Sequence, residues 1–177
     1  MEKLTVKNID AIVTCDGEDR LLENTDLYCE DGILRRIGPG LPAKGKVIDG
    51  RGMLCFPGLV NGHHHLYQVF SRNLPQVQGL ELFPWLTALY GVWKGLNEDT
   101  VRLSSLVGMG ELMKNGCTTV FDHHYVFPKD AGDLIAAQAE AQAQQPQQSA
   151  RFSSCIIGAQ VYVRLYAFRR HRARAAR

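Results

Sequence analysis

Apolar and polar positions alternate with a period of two from the start of the chain. Lys3-Leu4-Thr5-Val6-Lys7-Asn8-Ile9-Asp10-Ala11-Ile12-Val13-Thr14-Cys15 predicts a strand over residues 3–15, and Asp16-Gly17-Glu18-Asp19 predicts the turn that ends it. Leu27-Tyr28-Cys29 and Ile33-Leu34-Arg35-Arg36-Ile37 flank Glu30-Asp31-Gly32. That is a hairpin signal, because Asp-Gly accepts the positive φ of a tight turn. Val47-Ile48-Asp49 and Met53-Leu54-Cys55 keep the short-strand rhythm, so residues 1–56 are expected to form a small all-β unit.

The pattern changes at Pro57-Gly58. Leu59-Val60-Asn61-Gly62-His63-His64-His65 begins as a short apolar strand and ends in polar residues. The aromatic stretch from Leu80 to Trp93 suits a helical or lid-like segment, provided that Pro84 stands in the first turn. Asn97-Glu98-Asp99-Thr100 reads as a capped helix start with acids at the positive end of the dipole. Val101, Leu103, Leu106, Val107, Leu112 and Met113 are expected to form its apolar face, and Asn115-Gly116 its stop. Cys117-Thr118-Thr119-Val120-Phe121-Asp122 predicts a buried strand, and a second helix is expected from about Asp130 to Ala143. Strand, helix, strand is the unit of a parallel α/β fold.

Composition adds limits. At 177 residues the chain has room for one domain with a real core, and no apolar run approaches the ~20 residues of a membrane span. The first residues lack a signal-peptide pattern, so a cytoplasmic location is expected. Five widely spaced cysteines show no Cys-x-x-Cys pair and are expected to be free thiols. Charge is uneven: residues 1–143 carry 13 Lys and Arg against 18 Asp and Glu, whereas residues 144–177 carry seven Arg and no acid. Residues 136–148 are nearly all Ala and Gln, and Pro146 interrupts any helix there. Val161 to Phe168 is compatible with a strand, followed by the basic run Arg169-Arg170-His171-Arg172-Ala173-Arg174. The tail 144–177 is therefore read as either a frameshifted or disordered end or a basic segment for nucleic acid, the first being preferred.

One constellation carries chemistry. Side chains two apart on a strand share a face, so His63 and His65 point to one place while His64 points away. Neutral imidazoles are good ligands for Zn²⁺ or Fe²⁺. A bare His-x-His is equally compatible with a surface cluster of histidines. Asp122 is either a partner for a metal-bound histidine or a cap. Cys117 is expected to be inert on its strand.

The residues around the histidines extend the reading. Pro57-Gly58-Leu59-Val60-Asn61-Gly62-His63-His64-His65-Leu66 resembles the first-strand signature of the amidohydrolase superfamily, and Asn115-Gly116-Cys117-Thr118-Thr119 resembles its second-strand motif. The resemblance covers residues 1 to about 143. It is closest to the 8-oxoguanine deaminase branch, through the triple His with Gln68, Leu74-Pro75-Gln76-Val77-Gln78, Glu81-Leu82-Phe83-Pro84-Trp85-Leu86 and Asp122-His123-His124-Tyr125-Val126-Phe127-Pro128.

The resemblance implies an α/β architecture: the N-terminal part of a small β-sandwich (1–56), then the first strands and helices of an incomplete (β/α)8 barrel (57–143). It implies one divalent metal, Zn with Fe as the alternative, held by His63 and His65 with a His and an Asp from later strands. The implied reaction is hydrolytic deamination of an aminopurine, 8-oxoguanine to urate plus ammonia, with guanine or chlorotriazine aminohydrolysis as the alternative. Gln68 is then a candidate hydrogen-bond partner for the base, or an ordinary polar loop residue. Trp85, Tyr90 and Trp93 either stack on a heterocycle or pack the core. His64, His123 and His124 are expected to be outer-shell or structural.

Residues 144–177 offer no further ligand: their one histidine is His171 and they contain no acid. A hydrolytic site of this kind takes three or four protein ligands and a proton-shuttling acid. The 177-residue chain is therefore expected to be inactive and prone to aggregate, with no membrane partner, and nucleic acid an improbable one. Full-length relatives are compatible with homo-oligomers. The competing class is a non-catalytic metal- or nucleic-acid-binding protein.

Overall fold

The computed structural model describes residues 2–144 and the strand Tyr166–Arg169. These divide into two compact units, one of residues 2–58 with 166–169, the other of residues 59–144.

The first unit is a six-stranded sheet built on β1 (Lys3–Val13). One edge of β1 pairs antiparallel with β2 (Leu21–Glu30), which turns into β3 (Ile33–Gly38). Asp31 and Gly32 take φ of 51° and 75°, as the Asp-Gly hairpin requires. The other edge takes β4 (Lys46–Asp49) and β5 (Met53–Phe56) in parallel, and β8 (Tyr166–Arg169) pairs antiparallel with β5. Ile9, Ile12, Leu27 and Cys55 form the buried core.

A bulge in β1 is held from β2. The β1–β2 register slips between Val6 and Ile9, and Asn8 adopts φ 57°. Buried Asp26 fills the irregularity: it accepts from the backbone N–H of Asn8 (2.8 Å) and of Leu41 (2.9 Å), and it pairs with the Lys7 ammonium.

The second unit begins with β6 (Leu59–His64), whose partner is the parallel β7 (Cys117–Asp122). Between them lie two 3-10 helices, Leu66–Ser71 and Pro75–Val77, and helices α1 (Leu82–Trp93) and α2 (Glu98–Lys114). Pro84 falls in the first turn of α1, where its missing N–H costs no bond. Asn97 and Thr100 form a reciprocal capping box on α2, and Gly116 (φ 90°) follows its C-cap. Helix α3 (Leu134–Ala143) starts four residues later than its sequence suggests. Asp130 and Gly132 take positive φ, so the helix begins only at the Asp133 cap.

The face that α2 buries keeps Val101 and packs Leu106, Leu112 and Met113 against the core as expected, but not Leu103 and Val107. Val101, Ser104, Ser105, Gly108 and Met109 are buried, whereas Leu103 and Val107 are 45% and 42% exposed. Small side chains win because the helix Leu66–Ser71 packs closely: a Cβ on Gly108 would stand 2.8 Å from Leu66 Cδ2. Leu66, Met109, Val120 and Ala141 make one core of this unit, and Tyr67, Leu89, Trp93, Val101 and Leu134 anchor a second. Among the described residues no helix is long and apolar enough to cross a membrane. Of the tail, only Tyr166–Arg169 is described; the Ala/Gln run beyond Gln144 and the Arg run from Arg170 lie outside the described residues.

Candidate metal centre

His63 stands at the C-terminal end of β6 and His65 just beyond it, at the N-cap of the 3-10 helix Leu66–Ser71, with the two rings turned to the same side. Their Nε2 atoms are 3.1 Å apart. Two nitrogen ligands on a tetrahedral zinc, with bonds of about 2.0–2.1 Å, stand roughly 3.3 Å apart. The spacing therefore fits a shared divalent cation.

The orientation of His65 is fixed from β7. Its Nδ1 lies 2.7 Å from the backbone carbonyl of His123. A carbonyl only accepts, so the proton sits on Nδ1 and the Nε2 lone pair faces outward, the tautomer a metal ligand needs. His123 contributes through its backbone: its own ring stacks on His63 at 4.5 Å, and its Nε2 turns to the Gly62 carbonyl at 3.4 Å. Among the described residues no third His, Cys, Asp or Glu joins the pair as a metal-holding group.

His64 occupies the opposite face. Its Nε2 lies 3.8 Å from where a Cβ on Gly108 would stand, and burial lowers its pKa. His124 is half-buried, with Nε2 3.0 Å from the Val126 carbonyl, and burial lowers its pKa as well.

Asp122 proves to be a cap. Its Oδ1 accepts from the Leu66 N–H at 2.6 Å, and its Oδ2 accepts from Gln138 Nε2 at 2.7 Å. The backbone N–H of His123 donates to the His64 carbonyl at 2.8 Å, so the two strand tips are stitched together on both sides of the histidines. Gln138 was invisible as a functional residue in an Ala/Gln-rich stretch. The helical spacing of Leu134, Ala137, Gln138 and Ala141, all buried, is the signal that marks its face.

Gln68 donates from Nε2 to the hydroxyls of Tyr67 (3.0 Å) and Tyr125 (3.3 Å), and the Tyr125 ring meets His65 edge-on at 5.3 Å. Burial pushes the Tyr67 phenol up, leaving it a neutral hydrogen-bonding group. Trp85 packs edge-on to Trp93 at 5.7 Å and lines a cleft of about 380 Å³ with Val77, Gln78, Leu80 and Leu82. Trp93 is buried and donates from its indole to Ser71 Oγ, a core role, while Tyr90 is 47% exposed. Cys117 is buried on β7 with its Sγ 3.0 Å from the Thr119 carbonyl.

These features agree with what the chain resembles. The model of the amidohydrolase family matches residues 54–175. An 8-oxoguanine deaminase of Pseudomonas aeruginosa is 39% identical over 143 residues, covering 78% of this chain and 31% of that protein. A hydroxydechloroatrazine ethylaminohydrolase of Pseudomonas sp. strain ADP is 36% identical over 137 residues, covering 70% and 28%. The crystal structure of the atrazine chlorohydrolase TrzN of Arthrobacter aurescens TC1, complexed with zinc, superposes with a TM-score of 0.74 at 30% identity, covering 79% of this chain and 33% of that one. The chain thus spans about a third or less of the length of these relatives. With a strand-tip histidine pair, a parallel β6–β7 unit and a family match over most of its length, the chain belongs to the amidohydrolase family.

Proposed function

We propose that this chain carries the metal-binding strand of a hydrolytic deaminase that acts on an aminopurine, 8-oxoguanine being converted to urate and ammonia. The observation that carries the reading is the convergence of His63 and His65 Nε2 at 3.1 Å, with His65 Nδ1 pinned to a carbonyl. A divalent cation, zinc in preference to iron, supplies Lewis acidity and an activated water at neutral pH when bound there. His63 and His65 hold it, and the His123 carbonyl keeps His65 in the ligating tautomer. Gln68, anchored on the Tyr67 and Tyr125 hydroxyls, keeps its amide carbonyl as an acceptor for a polar edge of the base. Trp85, half-buried against Trp93 and lining a cleft with Val77 and Leu82, is the candidate surface for stacking on the heterocycle.

Two ligands fall short of the three or four that such a centre takes, so turnover belongs to a complete barrel. The 177-residue chain is expected to bind Zn²⁺ weakly and to release no ammonia from 8-oxoguanine. A second reading, a substituted triazine as substrate, is favoured by the similarity to the hydroxydechloroatrazine enzyme. Titration of the chain with Zn²⁺, followed on histidine imidazole NMR signals, tests the metal assignment. H63A and H65A are expected to abolish the binding and H64A to leave it in place; equal binding by all three variants sinks the assignment. Ammonia release from 8-oxoguanine by the purified chain overturns the expectation of inactivity. A longer chain that carries a complete barrel with these residues, assayed on 8-oxoguanine and hydroxytriazines, separates the two substrates.

A further inference from the structure

We infer that Gln138 is a positioning residue for the metal-ligating pair, acting through Asp122; this rests on His63 and His65 being the ligands. The Gln138 side chain lies on the buried face of α3, and the residue is only 4% exposed. A buried carboxamide has to find partners, and its Nε2 donates to Asp122 Oδ2 at 2.7 Å. Asp122 spends its other oxygen on the N–H of Leu66, the residue next to His65. One residue after Asp122, the His123 carbonyl accepts from His65 Nδ1.

Asp122 therefore sits at the junction of two constraints on His65, one on its backbone and one on its ring. Without a second partner, the carboxylate is free to rotate about its χ angles and to exchange Leu66 for water. Gln138 removes that freedom. Its donor is neutral, so it holds the carboxylate without adding a positive charge beside a cation site. The Ala137 and Ala141 neighbours on the same face are small enough for α3 to approach within hydrogen-bonding reach.

The test is Zn²⁺ affinity of the 177-residue chain, read by competition with a chelating dye, for wild type, Q138M and the exposed control Q144M. Methionine keeps the volume and removes the donor. Loss of an outer-shell partner lowers metal affinity by roughly 10–100-fold; one step further out, about tenfold weaker binding is expected for Q138M, with wild-type affinity for Q144M. The His65 Nδ1–H signal in long-range ¹⁵N spectra is expected to broaden or shift in Q138M at unchanged circular dichroism. Wild-type affinity together with an unmoved His65 signal in folded Q138M overturns the inference. If wild type itself takes up no Zn²⁺ at His63 and His65, the metal reading fails first, and the Nδ1–H signal alone then decides the positioning role. Should Q138M not fold, wild type carries the test: the Gln138 carboxamide and Leu66 amide resonances must follow the same Zn²⁺ saturation curve as the two imidazoles, and resonances that stay put overturn it.

Discussion

Replacing Asp26 by Asn is expected to weaken the first unit more than any surface change, and to do so in a pH-dependent way. Asp26 is 4% exposed and satisfies three groups: the N–H of Asn8, the N–H of Leu41 and the Lys7 ammonium. A carboxamide offers one acceptor oxygen and turns an N–H₂ toward donors, so at least one buried donor is orphaned. Removing one partner of a buried pair costs about 3–5 kcal/mol. The Lys7 side chain is 25% exposed and also donates to the Leu41 carbonyl, so water and that carbonyl recover part of the loss. A value near the lower end, about 3 kcal/mol, follows. With a urea m-value of about 2 kcal/mol/M, the midpoint moves down by roughly 1.5 M. Burial, the largest single influence, pushes the Asp26 carboxyl up, but the Lys7 and backbone hydrogen bonds outweigh it and hold the group below its usual range. A depressed folded pKa gives stability that is fully present above the unfolded value of about 3.9 and lost as pH falls through the folded value. The gap between wild type and D26N should therefore be widest near neutrality and shrink on acidification. The assay is urea unfolding followed by circular dichroism in the β region, because both tryptophans, Trp85 and Trp93, lie in α1 and report on the other unit. A gap below ~1 kcal/mol at neutral pH, or one that stays flat down to about pH 2, refutes the reasoning.

Three further outcomes are expected. Gly108→Val places methyl groups where Leu66 and Val69 already stand, with contacts of 2.8 and 3.1 Å at the Cβ alone. It should cost about 1–3 kcal/mol in chemical denaturation, and its displacement of Leu66 should weaken Zn²⁺ binding at the adjacent His65. Asn97→Ala removes the side-chain acceptor for the Thr100 N–H, leaving of the α2 capping box only the bond from its own backbone N–H to Thr100 Oγ1, and should cost about 1 kcal/mol, read as a lower urea midpoint by tryptophan fluorescence. Cys15 is exposed, whereas Cys55 is buried with its thiol pushed up to about 12 by burial, so iodoacetamide at mildly alkaline pH should label Cys15 first and Cys55 only on unfolding, as read by peptide mass spectrometry.

The parts of the fold legible in the sequence are those set by local rules. The strand rhythm of residues 3–56, the Asp31-Gly32 turn, the Asn97 cap and the Asn115-Gly116 stop depend on neighbours within a few positions, and each appears where its chemistry puts it. The facing of His63 and His65 was legible for the same reason, since a period of two needs only the strand. What stayed hidden depends on long-range approach. Leu103 and Val107 look like core on apolarity, yet the close seating of Leu66–Ser71 against Gly108 rotates α2 so that its small face is buried. The start of α3 is delayed by backbone angles at Asp130 and Gly132 that apolar periodicity does not encode. The role of Asp122 was undecidable because Leu66 lies 56 residues away from it and Gln138 lies 16 away.

The order of these constraints bears on how a metal site arises. His65 receives its tautomer from the His123 carbonyl and its backbone position from Asp122, and Asp122 is held by Gln138; all of these lie on β6, β7, α3 and the segments next to them. None requires a metal for its hydrogen bonds to form. The ligand pair is thus oriented by one strand–helix–strand unit, at the cost of ordering side chains that already serve as caps. If His63 and His65 hold a cation as proposed, ligands from other strands would need only to complete the coordination sphere. On the proposed metal reading, the affinity of His63 and His65 for a cation is a property of local packing, so changes at Gly108 or Gln138 are expected to register there.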